Sequence, residues 1–146
     1  MKSLFDENAY QEIVQRLQSL SDNQTRQWGK MDVGQMLHHC QQPLNIALGR
    51  KKIKKQFFPL AFLFKKSLYN DKPWRKNLPT VSSFKVGEKK DFQTEKEKLL
   101  ELTEVFHKKK EESKWAPHPV FGKFSPEQWG QMQYKHLDHH LRQFGA

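Results

Sequence analysis

Apolar residues recur at intervals of three and four along four stretches of this chain, and residues that start or stop helices stand at the ends of those stretches, a pattern that predicts an all-α fold. Phe5, Ala9, Ile13, Val14, Leu17 and Leu20 place a first amphipathic helix over residues 6–20, closed by the polar turn SDNQT. Asp32 is a good N-cap and Gly49 a good stop for a second helix, whose inner face carries Val33, Met36, Leu37, Cys40, Leu44, Ala47 and Leu48. A third runs from about Phe92 to Glu112 and turns Leu99, Leu102, Thr103 and Phe106 to one side. Ser125-Pro126-Glu127-Gln128 then offers a serine N-cap, a proline at the first helical position and a glutamine able to complete a capping box. The fourth helix is therefore predicted from Ser125 through Phe144, with Gly145 as its stop.

Between the second and third helices the periodicity fails. Residues 50–87 carry Pro59, Pro73 and Pro79, a KKIKK run and the apolar stretch FFPLAFLF. A connection this long is expected to cross the domain and cover one end of it, with a short helix around residues 57–69. Four helices with one long crossover make a four-helix bundle, and 146 residues suit a single domain spanning residues 1–146.

Composition narrows the setting. The lone cysteine, Cys40, has no partner for an internal disulfide, and MKSLFDENAYQEIVQ has charges where a secretory signal has its apolar stretch, so a reducing, cytoplasmic location is expected. No apolar run approaches the roughly 20 residues that span a bilayer. The net charge of +10 comes from lysines in KKIKK, FKK, GEKK and HKKK, interleaved with acids in the last third, and reads as a solvated surface. In KKIKKQFFPLAFLFKK basic clusters bracket apolar residues as an interfacial segment would. These apolar residues are expected to pack into the bundle, so no nucleic acid or membrane partner is favoured. The competing class of function is a non-catalytic basic module that binds nucleic acid or an anionic membrane surface.

Three of the last helix's residues are histidines packed into five positions. Residues four apart share a helix face. Tyr134, Leu137, Leu141 and Phe144 define the buried stripe, and His136 and His140 lie along one edge of it, one turn apart. His139 and Lys135 are expected to face water. In the second helix His38 has Gly34, Gln35, Gln41 and Gln42 as neighbours, whereas His39 is flanked by Met36, Pro43 and Ile46, which favours His39 as the inward residue. Two imidazoles from one helix and one from another are the neutral nitrogen set with which a catalytic divalent metal keeps a position free. The same spacing also suits hydrogen-bonded core histidines. No HExxH base accompanies the pair, which counts against a metalloprotease.

The order of elements, GQMLHHC in the second helix and HLDHHLRQF in the last resemble the DinB-like (DinB/YfiT-like) metalloenzyme superfamily. Within it, HPVFGKFSPEQWG followed by YKHLDHHLRQFG is similar to a bacterial branch whose members are mostly of unknown function. The resemblance covers nearly the whole chain and is most specific over the last thirty residues. It implies a divalent metal ion, zinc or nickel, held by His39, His136 and His140. It further implies a metal-dependent transferase or hydrolase acting on an unknown small molecule, by thiol transfer with a low-molecular-weight thiol or by hydrolysis, and a homodimer. Gln35, Gln143 and Asp138 lie within a turn of these histidines or beside one, and read as surface residues. His118 belongs to the branch signature, but its distance along the chain from His136 argues for a structural role with Phe121 and Trp129. Cys40, beside His39, reads as a small buried apolar residue.

Overall fold

Two reciprocal caps fix the helices that carry the histidines. The Asp32 carboxylate accepts from the Gln35 backbone N–H at 2.8 Å while the Gln35 side chain accepts from the Asp32 backbone at 2.9 Å. Ser125 and Gln128 repeat the arrangement at 3.2 and 3.0 Å. Each box satisfies two backbone donors that a helix start otherwise leaves bare. In the computed structural model, which describes residues 1–54, 61–78, 82–112 and 114–146, the elements are α1 (Glu7–Ser19), α2 (Val33–Ala47), α3 (Ala61–Lys65), α4 (Phe92–His107) and α5 (Pro126–Gln143). Short 3-10 turns at Lys66–Leu68 and Ser82–Phe84 complete the set, and no β-strand occurs among the described residues.

The four long helices share one core. α2 packs on α4 and α5, and α1 packs on the same two helices. The predicted inner faces supply that core: Ile13 and Leu17 from α1, Met36, Leu37 and Leu44 from α2, Leu99 and Phe106 from α4, and Trp129, Leu137 and Leu141 from α5 are all buried. Burying each such side chain stabilises the fold by about 1.5–3 kcal/mol. α2 is enclosed almost all round, its polar Gln41 and Gln42 included, as befits a helix gripped from two sides. It continues through Pro43, which has no N–H to give to the carbonyl of His39 four residues earlier. The N-terminal segment lies directly on α5, where the Leu4 N–H donates to the Gly130 carbonyl at 2.9 Å. A Cβ at Gly130 would stand 2.3 Å from Ser3 Oγ and 2.5 Å from a Phe5 ring carbon, so only glycine allows that approach.

Two expectations are corrected. α4 ends at His107 and gives way to turns instead of running to Glu112. After Phe106 no apolar residue remains to hold the helix to the core, and three consecutive lysines repel one another. The apolar residues of the crossover were expected inside the bundle, yet Phe62, Leu63 and Phe64 are 71%, 60% and 54% exposed. The part of the expected 57–69 helix that falls on residues 57–60 lies outside the described residues; the remainder appears as α3 and the 3-10 turn after it. Among the described residues no helix is long and apolar enough to cross a membrane.

Candidate metal centre

The packing of α2 on α5 brings His39, His136 and His140 together. All three are buried, and each offers a ring nitrogen within 4.8 Å of the others. The Nε2 atoms of His39 and His136 are 3.1 Å apart. Two nitrogens on a tetrahedral zinc, at roughly 2.0–2.1 Å each, stand about 3.3 Å from one another, so this spacing is close to what shared coordination requires.

Tutors for two of the rings come from outside the helix faces. His39 Nδ1 lies 3.0 Å from the backbone carbonyl of Phe84 in the crossover, an oxygen that can only accept, so Nδ1 carries the proton and Nε2 presents its lone pair inward. His140 Nδ1 lies 2.8 Å from Gln143 Oε1. The orientation of that amide is set by its other end, because Gln143 Nε2 donates to the Trp28 carbonyl at 2.8 Å. His140 Nε2 is thereby left free to ligate. Gly29, at φ +82°, lets the chain pass close over this amide: a Cβ there would sit 2.3 Å from Gln143 Nε2. His136 differs from the other two, since among the described residues its buried Nδ1 has no hydrogen-bond partner. A buried polar atom in that state costs about 1–3 kcal/mol.

Burial holds these histidines neutral, which is the ligating form. It pushes His140 down to about 3, with His39 adding to the effect, and lowers His136 well below the usual imidazole value, reinforced by His140 and His39. Burial likewise lowers His39, against the opposing pull of the Phe84 carbonyl.

The crossover does cover this end of the fold, as expected from its length. Trp74 packs its ring 5.9 Å from that of His136 and 5.6 Å from that of His139. Trp28, from the link between α1 and α2, stands 5.8 Å from His139 on another side. His139 and Lys135, expected to face water, are each only 6% exposed. The Lys135 ammonium donates to the carbonyls of Ser67 and Asn70 and to Asn70 Oδ1, tying α5 to the crossover. Both corrections have one cause: irregular segments cover a helix face that helical periodicity alone reads as solvent.

Gln143 is also corrected from surface residue to buried partner of His140. Gln35 serves the α2 cap, and Asp138 pairs with Arg16 at 2.9 Å and Arg142 at 3.2 Å, so neither supports a ring of the triad. His118 stays out of the cluster, as its chain position implied. Its Nδ1 accepts from the backbone of Val120 and Phe121, and its ring packs against Phe121, Phe124 and Trp129. Cys40 lies against Met36 with its thiol pushed up by burial, which makes it a poor nucleophile.

A network that sequence reading missed lies behind His38. Glu95 of α4, 6% exposed, takes Gln41 Nε2 at 2.6 Å and His38 Nδ1 at 2.9 Å. Burial would raise its carboxyl, but the hydrogen bonds from His38 and Gln41 prevail and hold it below the usual range. In the run TEKEKLLEL this residue is one of several surface-like acids, and no local signal distinguishes it.

A family model described as protein of unknown function (DUF1569) matches residues 2–146 of the chain. No curated protein and no solved structure matches it.

Proposed function

This chain belongs to the DUF1569 family, whose description assigns no activity, and we propose that it is a metal-dependent enzyme in which His39, His136 and His140 hold a divalent ion, zinc or nickel. The observation that carries this reading is the convergence of three buried, neutral imidazoles from two helices, two of them already turned by oxygen acceptors so that a bare nitrogen faces the centre. When bound, such an ion supplies a Lewis acid with a free coordination position, at which a nucleophile is activated near neutral pH. The rest is the work of the chain. Phe84 and Gln143 orient two of the rings, and Trp28 and Trp74 wall the cluster. The DinB-like resemblance of GQMLHHC and HLDHHLRQF favours a small-molecule substrate and either thiol transfer or hydrolysis, in a reducing cytoplasm where Cys40 stays a thiol. It also favours a homodimer.

Cobalt(II) reports on both parts of the proposal. One equivalent is expected to give a four-coordinate ligand-field spectrum that changes when a small thiol such as 2-mercaptoethanol is added. A spectrum indifferent to thiols, together with a melting temperature that rises on metal addition, would instead assign the ion a purely structural role, stapling α2 to α5.

A second reading is favoured by the exposed Phe62 and Leu63. They lie in the same crossover as the exposed Lys52, Lys54 and Lys66, and the Lys65 ammonium, on the neighbouring turn, reaches the Lys123 carbonyl. Apolar side chains set among lysines suit an anionic bilayer surface better than a second copy of a chain charged +10. Vesicles rich in phosphatidylglycerol are expected to sediment the protein at low salt and release it at high salt, with Phe62→Ser/Leu63→Ser weakening capture about tenfold or more. Equal capture by phosphatidylcholine vesicles, or none by either, would remove this reading.

A further inference from the structure

An ion with a free coordination position has to be reached by its substrate, yet His39, His136 and His140 are only 5%, 6% and 9% exposed. A small molecule meets an ion held by them only if part of their cover moves. That part is not α2 or α5, because Met36, Leu37, Leu44, Trp129, Leu137 and Leu141 pin both helices into the core. The crossover is bound differently. No residue from Ala61 to Leu78 is buried; within 66–76, Leu68, Tyr69, Asn70 and Trp74 are half-buried and the others exposed. A segment with so few buried contacts lies at the low end of a protein's range of local stabilities.

What ties this segment down is polar and concentrated at one residue. Among the described residues, every hydrogen bond from residues 66–76 to a long helix ends on Lys135 of α5. The ammonium finds the Ser67 carbonyl at 2.6 Å, the Asn70 carbonyl at 2.9 Å and Asn70 Oδ1 at 2.7 Å, so its three N–H groups are all used. The Ser67 carbonyl accepts a second bond, from the indole Nε1–H of Trp74 at 2.8 Å. Lys135 Nζ also stands 5.7 Å from the centre of the Trp74 ring. The group that fastens the crossover and the ring that covers His136 are thus joined through one oxygen. The carbonyl that orients His39 belongs to Phe84, on a later stretch of the crossover, so residues 66–76 can lift without carrying that bond away.

We propose that residues 66–76 form a lid over the metal centre and that Lys135 is its latch. In the closed state described here Trp74 shields His136 and His139. When the ammonium releases Ser67 and Asn70, Trp74 lifts and the free coordination position meets solvent and substrate. A lid of this kind keeps bulk water from the reacting centre until substrate is in place. The inference rests on the metal reading of the triad, and its test separates the two.

Ion-free and loaded sites lie under the same cover, so a latch sets the rates in both directions and leaves the equilibrium alone. In Lys135→Met, which keeps the apolar stem and removes the three donors, zinc uptake and zinc release to excess EDTA are each expected to quicken about tenfold or more, with the dissociation constant within about twofold of wild type. Trp74→Ala, with the latch intact and the cover removed, is expected to do the same. Unchanged rates would overturn the lid. Faster release alone, with affinity lost in proportion, would overturn it too, by making Lys135 a mere support for α5.

Diethyl pyrocarbonate, which modifies accessible imidazoles, reads the lid without metal. In metal-free protein its reaction at His136 and His139, located by peptide mass, is expected to quicken about tenfold in both variants, while His107, which bonds to Leu4 and Glu7, reacts at its wild-type rate. If wild type takes up no zinc, the metal reading fails and this comparison still decides on the lid. Equal rates at His136 and His139 in all three proteins would refute it, and so would an acceleration shared by His107, the mark of a loosened fold. Should Lys135→Met not fold, Asn70→Ala, which removes one acceptor of the three, is expected to give the same pattern at roughly threefold.

Discussion

Metal-free protein is expected to lose most of its stability between pH 7.5 and pH 5. Three histidines are held neutral by burial: His140 is pushed down to about 3, His118 to about 4, and His136 well below its ordinary value. In the unfolded chain each would titrate near 6.5. Below that value the unfolded state binds protons that the folded state refuses, so stability falls as pH falls, and it continues to fall until the folded values are reached. Above about pH 7.5 both states are nearly neutral and these groups contribute almost no slope. From pH 6.5 to 5 each histidine costs about 2 kcal/mol, and three together cost up to about 6 kcal/mol, comparable with the whole stability of many domains. Urea unfolding at the two pH values, in metal-free buffer, measures this directly. Equal midpoints would mean that the histidines are reached by water in the folded protein. His118 separates the fold from the site, because it lies outside the triad and its Nδ1 accepts two backbone N–H groups: part of the acid loss is expected to persist when zinc is present.

Replacing any one of His39, His136 or His140 by alanine is expected to lower zinc affinity at least about 100-fold, a larger loss than removal of an outer partner brings. Zinc at about a hundred times its dissociation constant adds about 2.7 kcal/mol to the stability of wild type, which raises the melting temperature by roughly 5–10 °C. That rise should vanish in each variant. His139→Ala is the control: its ring is 5.1 Å from that of His140, but it falls outside the group whose nitrogens converge. It is expected to keep the zinc response. Loss of the response in His139→Ala but not in His136→Ala would redraw the ligand set.

What the sequence disclosed was whatever depends on neighbours in the chain. Caps at Asp32 and Ser125 and the period of three and four placed α2 and α5 within a residue or two of their observed limits, because a capping box and a helix face are local objects. The same helical geometry picked His39 over His38 and paired His136 with His140, and the packed helices bring those three rings together. It failed where a segment without periodicity does the covering. Trp28 and Trp74 bury His139, and Ser67 and Asn70 bind Lys135, through contacts that no helix projection contains. Glu95 was missed for a related reason: it is a polar residue at a core position, and only its tertiary surroundings distinguish it from a solvated one. Phe62 and Leu63 erred in the other sense, apolar by type yet left outside by the packing.

The central claim is that imidazoles of α2 and α5 share one divalent ion. Elemental analysis of protein purified without chelators, then challenged with zinc and with nickel and desalted, tests it most directly. About one equivalent of metal per chain is predicted for wild type, with only a trace in His136→Ala. Wild-type protein that emerges metal-free from both challenges, folded and with all three histidines intact, would contradict it.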